Sequence, residues 1–156
     1  MADVAHEQNA RLEPLIGEWS LAMVTPGQDR PERLPDLGAR ATFEWLGKKA
    51  FVLERWTVPL PEAPDGLAII GWDDGRGTFL QHYFDTRGVA RVCDMTFDGD
   101  LWRLERTKGD FSPFEFSQRF IATLTRDGTR IEGTWEIAHD HRTWEKDFDL
   151  IYTRVS

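Results

Sequence analysis

Arg91, Cys93 and Met95 alternate along one short stretch of the chain, and Gln81, His82 and Tyr83 crowd another. Their types set the chemistry to ask about. An arginine carried on an apolar strand face cannot stay unpaired, because desolvating a lone cation costs several kcal/mol. Arg91, and Arg55 if it too faces inward, therefore calls for a carboxylate or for the anionic end of a ligand. Glu44, Glu54 and Asp94 are the internal candidates. A fatty-acid-like or phenolic ligand would satisfy the cation equally, through charge-assisted hydrogen bonds. Gln118 and Tyr83 would add direction in either case.

His82 has an ordinary pKa near neutrality, which suits a general base, a metal ligand or a haem ligand. It suits an unremarkable surface or core histidine as well. Glu54 is the second candidate for acid–base work. Cys93 shares a face with Arg91, and a nearby cation makes a thiol more acidic; a buried structural cysteine is the plainer reading. His139-Asp140-His141 brings two imidazoles and a carboxylate into one turn. No third ligand follows at metal spacing, so no metal site is predicted. Asp73-Asp74-Gly75 lacks the spaced acids and final glutamate of a calcium loop and reads as a turn.

Strands must position these residues. After a helix candidate over His6 to Ile16, limited by Pro14 and stopped at Gly17, the hydrophobic period changes to two. The alternation predicts strands at Trp19–Thr25, Ala39–Leu46, Ala50–Val58, Leu67–Asp73, Thr78–Asp85, Val89–Phe97, Leu101–Thr107, Phe114–Thr125, Thr129–Ala138 and Arg142–Arg154. Pro26 to Leu37 holds three prolines and reads as a loop. Asp85-Thr86-Arg87-Gly88, Asp98-Gly99-Asp100 and Arg126-Asp127-Gly128 fit tight hairpins. About ten antiparallel strands with one N-terminal helix most naturally close into an up-and-down β-barrel, which removes the sheet edges.

Alternation also assigns faces. Phe114, Phe116, Gln118, Phe120, Ala122 and Leu124 share one. So do Ile131, Gly133, Trp135 and Ile137, and so do Trp144, Lys146, Phe148, Leu150 and Tyr152. Val89, Arg91, Cys93, Met95 and Phe97 form the more apolar face of their strand. The faces of Ala50–Val58 and Thr78–Asp85 stay ambiguous. The aromatic face, with Trp102, Phe116, Trp135 and Trp144, is suited to lining a ligand pocket. It is equally suited to filling the core by itself.

Composition bounds the partners. The chain has 156 residues, seven Trp, ten Phe, one Cys and a net charge of −8. That size predicts a single domain over residues 1–156. Net acidity argues against nucleic acid and against anionic membranes. A lone cysteine suits a reducing compartment, and the polar start shows no signal-peptide pattern, so a cytoplasmic chain is expected. Exposed aromatic strand faces offer a surface for a homodimer.

Leu15-Ile16-Gly17-Glu18-Trp19 is a Gly-x-Trp entering the first strand. With Phe116-Ser117-Gln118-Arg119-Phe120, Ile131-Glu132-Gly133-Thr134-Trp135-Glu136 and Trp144 to Tyr152, it resembles small actinobacterial lipocalin-like (calycin) barrels near the DUF1579 group. A more distant similarity is to nitrobindin. The resemblance implies the barrel fold and a hydrophobic internal cavity, and it implies no reaction. Nitrobindin-like proteins bind haem through a histidine, but Ser20, Leu21 and Ala22 replace their glycine pattern here. Three readings follow. One is a barrel binding a small hydrophobic or amphipathic, anionic molecule through Arg55, Tyr83, Arg91 and Gln118. Another is an isomerase or cyclase on the same cavity, using His82 or Glu54. The third is a haem binder.

Overall fold

The computed structural model describes residues 2–106 and 116–156. Among these, one helical segment precedes ten strands that close into an antiparallel barrel. The strands are β1 (Gly17–Val24), β2 (Arg40–Leu46), β3 (Phe51–Thr57), β4 (Gly66–Asp73), β5 (Thr78–Asp85), β6 (Ala90–Asp98), β7 (Leu101–Arg106), β8 (Ser117–Leu124), β9 (Arg130–Ala138) and β10 (Glu145–Arg154). Each pairs with its neighbours in sequence, and β1 pairs with β10 to close the ring. The expected architecture and each expected strand are present. The expected ends at Thr107 and Phe114 lie outside the described residues. Among the described residues no helix is long and apolar enough to cross a membrane.

The helix starts earlier than its apolar spacing predicts. α1 spans Ala2–Asn9 and tightens into a 3-10 helix over Ala10–Leu15. Pro14 explains the change, since it has no N–H to give and its ring would clash with the carbonyl of Ala10 in an α-helix. Gly17 ends the segment at φ 136°, and any Cβ there would lie 2.5 Å from the Arg154 guanidinium.

This segment plugs one end of the barrel. Asn9 is 1% exposed. Its amide donates to the carbonyls of Lys49 and Ala50 at 3.0 and 2.8 Å, and its oxygen accepts from the Trp72 N–H at 3.0 Å. Arg11 donates to the Phe97 carbonyl. Leu12 and Leu15 are fully buried, and the Trp19 indole donates to the Leu15 carbonyl at 2.9 Å. Arg154 holds the far side: it donates to the carbonyls of Ile16 and Pro14, both at 2.7 Å, and lies 4.1 Å over the Trp19 ring.

Inside the plugged half the wall is packed. Phe43, Trp102, Phe120 and Tyr152 meet at ring separations of 5.1 to 6.2 Å, in tilted and edge-on geometries that suit their quadrupoles. Gly133 is required here, because a Cβ at that position would sit 2.3 Å from the Phe120 ring. These rings pack against one another around Phe43.

Asn9→Ala should separate plug from wall. It strands the part-buried carbonyls of Lys49 and Ala50 and the backbone N–H of Trp72, a loss of about 3 kcal/mol over three hydrogen bonds. In a chain of this size that is a fall of about 10 °C in melting temperature, read by calorimetry.

Candidate functional site

The register fixes the inner wall row by row. Phe43 lies opposite Glu54, Glu54 opposite Ala68, Ala68 opposite Tyr83, and Tyr83 opposite Arg91. Phe43 stands opposite Gly17 beside the plug, whereas Arg91 is the second residue of β6, at the other end. The row therefore climbs from the plugged end to the opposite mouth, as the strand tilt of a closed barrel requires. The ambiguous faces resolve on it. Val52, Glu54 and Trp56 point in from β3; Phe79, Gln81 and Tyr83 point in from β5.

At the mouth, Arg91 donates to the Gln118 oxygen at 3.0 Å and lies 5.6 Å from the ring centres of both Tyr83 and Phe116. Arg106 joins it, 1% exposed, donating to the Phe116 carbonyl at 3.1 Å and stacking 5.2 Å over the same ring. Trp56 stacks on Tyr83 at 5.3 Å. The Tyr83 hydroxyl already donates to Asp85 at 2.6 Å, and burial together with that carboxylate pushes its pKa up. Tyr83 thus offers a ring platform beneath Arg91, with its proton committed elsewhere. Of the acids considered as partners for Arg91, Asp94 pairs with Arg76 at 2.5 Å and Glu44 lies 4.0 Å from Arg55 on the outer wall.

Deeper, Glu54 is 6% exposed and, among the described residues, has neither a hydrogen bond nor an ion pair. Burial alone pushes its pKa up to about 8, so the carboxyl is neutral at pH 7. Gln81, 5% exposed on β5, also lacks a side-chain partner among the described residues.

The structure gathers Tyr83, Arg91, Phe116 and Gln118 at the mouth. It sets Trp135 on the inner wall, 5.0 Å from Phe120, and Trp102 within the packed half. The remaining candidates lie elsewhere. Arg55 is 62% exposed on the outer wall, because β3 turns its neighbour Glu54 inward. His82 is exposed on the outer wall of β5, next to the inward Gln81 and Tyr83. Trp144 stacks outside on the Arg119 guanidinium at 4.0 Å, and Arg119 donates to Glu136 at 2.8 Å. A β-bulge is the reason: Lys146 opposes Glu136 while Phe148 opposes Trp135, leaving Asp147 as the extra residue. Alternation before the bulge is inverted, so Lys146 turns outward with Trp144. Arg106 was legible through its spacing from Trp102 and Leu104, two residues apart on one face, yet it is absent from the residues the sequence singles out.

The other clusters are structural. Asp140 accepts from the Arg142 and Thr143 N–H groups and the Thr143 hydroxyl, which hold its carboxyl at about 2 and brace the turn. His141 sits 2.8 Å from the Ser117 hydroxyl, but Ser117 is 3% exposed, so the pair pins the turn rather than presenting a nucleophile. All four histidines are exposed. Among the described residues no three metal-ligating side chains gather. A half-open groove of about 280 Å³ on the outer wall joins Arg30, Glu132, Lys146 and Asp149, whose charges already pair with one another. No protein-family model and no curated protein matches the chain.

Glu54 makes stability depend on pH. Its folded pKa of about 8 lies above the ordinary 4.5, so the folded state keeps a proton that the unfolded state releases. The contribution is complete below pH 4.5 and is lost as pH rises to about 8. Glu54→Gln should remove this decline, of up to about 1.4 kcal/mol per pH unit. Urea titrations at pH 5 and pH 8 check it; equal declines in both proteins sink the assignment.

Proposed function

We propose that the barrel binds a small, largely apolar organic molecule entering at the mouth, with an anionic end read by Arg91 and Gln118. One observation carries the reading. The inner wall is packed and apolar at the plugged end, and cationic, amide-bearing and half-buried at the other. Such segregation orients an amphipathic guest, with its charge outward and its chain inward. Two guanidiniums on one aromatic platform favour an anion over a neutral or cationic end. Trp56, Trp135 and Phe148, all half-buried, supply apolar contact between mouth and floor. A lipocalin-like kinship, carried by the Gly-x-Trp opening and the β8–β10 motifs, fits the same reading.

Acid–base catalysis on such a guest is the second reading. A neutral carboxyl on an apolar wall, with a pKa near the working pH, is suited to giving and retaking a proton. Glu54 meets that description. Under this reading Glu54→Gln abolishes turnover of a cavity-sized substrate while its binding survives.

Titration calorimetry with decanoate and decanol tests the binding reading. Arg91→Leu should weaken decanoate by about 10- to 100-fold, the worth of one charged hydrogen bond, and leave decanol nearly unchanged. Equal losses for both would remove the anionic end from the proposal. No binding of either to the unaltered protein would remove the proposal itself.

A further inference from the structure

Glu54 is not alone in its unmet hydrogen bonding. Phe43 faces it across β2 and β3, and the Phe43 ring lies 6.0 Å from Trp102 and 6.2 Å from Tyr152. Trp102 and Tyr152 are themselves 5.9 Å apart. The Trp102 indole N–H is buried with no hydrogen-bond partner. The Tyr152 hydroxyl, on a residue 5% exposed, has none either among the described residues. Burial, and the nearby Glu54 carboxyl after it, push Tyr152 well above the usual tyrosine range.

Each buried donor or acceptor left unmet costs about 1–3 kcal/mol. The Trp102 N–H is one such group; the Glu54 carboxyl and the Tyr152 hydroxyl, without a hydrogen bond among the described residues, meet it around one phenyl ring. They lie at the lower part of the row that climbs through the small Ala68 to Tyr83 and Arg91. A guest whose charged end meets Arg91 would point its inner end toward them.

We infer that Glu54, Tyr152 and the Trp102 N–H form a hydrogen-bonding floor for an uncharged oxygen, a hydroxyl or carbonyl, at the inner end of the ligand. The inference rests on the binding reading above and narrows its ligand class to amphipathic anions with a second, neutral oxygen at the far end. The neutral Glu54 O–H and the indole N–H donate to such an oxygen. The Glu54 carbonyl and the Tyr152 oxygen accept from a hydroxyl. An ammonium end is disfavoured, because it must pass Arg91 and Arg106 on the same wall.

The test compares decanoate with its terminally hydroxylated and terminally aminated analogues, by calorimetry at pH 7. The hydroxylated acid should bind about tenfold tighter than decanoate, one well-made hydrogen bond. Glu54→Leu should erase that gap, and Trp102→Phe, which keeps the ring and removes the N–H, should narrow it. Glu54→Gln should retain part of it, since an amide both donates and accepts. Equal affinity for decanoate and its hydroxylated analogue overturns the floor and leaves the binding reading standing, with water meeting these groups. Tightest binding of the aminated analogue also overturns it, by making Glu54 a counter-ion. No binding of any of the three overturns the floor and the binding reading together.

Discussion

Closure of β1 on β10 is the constraint from which the rest of the molecule follows. Six residue pairs, from Trp19 opposite Arg154 to Val24 opposite Asp149, join the two ends of the sheet. This pairing leaves no strand edge to cover. It also delivers Arg154 to the 3-10 helix, where its guanidinium meets the carbonyls of Pro14 and Ile16. Closing the ring and seating the plug are therefore one event. A barrel with one end sealed in this way has an inside with a direction, from a floor to a mouth.

That direction organises the energetics. The packed aromatic half, with Trp19, Phe43, Phe79, Phe97, Trp102 and Phe120 all nearly inaccessible, supplies the apolar burial that holds the barrel together. Against it stand inward groups that are costly to bury: Glu54, Gln81, Arg91 and Arg106. Arg91 and Arg106 reduce their cost with aromatic faces, an amide and a carbonyl. Glu54 reduces its cost by staying protonated. The polar wall is thus kept at the expense of stability that an all-apolar wall would have provided.

The strands and most of their faces were legible because period-two alternation with tight-turn punctuation is a strong local signal. Ile131, Gly133 and Trp135 against Arg130, Glu132 and Thr134 is one clear case. The faces of β3 and β5 were not legible. Phe51 and Leu53 are as apolar as Val52 and Trp56, so hydropathy alone cannot say which set turns inward. Only the neighbours' register decides, and that consigns Arg55 and His82 to the outside. Trp144 was misjudged for another reason: a bulge leaves no mark in a sequence that alternates on both sides of it. Arg91, Phe116 and Gln118 converge as alternation indicated, and the register brings Tyr83 to them. The partnerless state of Glu54 and Trp102 is a property of three-dimensional packing and has no local signature.

The bulge at Asp147 acts as a frame shift written into the backbone. Downstream of it, Phe148, Leu150 and Tyr152 keep the phase that faces them inward; upstream, Trp144 and Lys146 run in the opposite phase and clasp the outer wall. The β9–β10 turn is thereby decoupled from the barrel's interior pattern. With Asp147 paired in line instead of bulged, one phase would run throughout and carry an indole and an ammonium inward; loss of Asp147 leaves Lys146 opposite Glu136 and both side chains outside. One backbone irregularity thus lets the rim vary in sequence without rewriting the chamber beneath it.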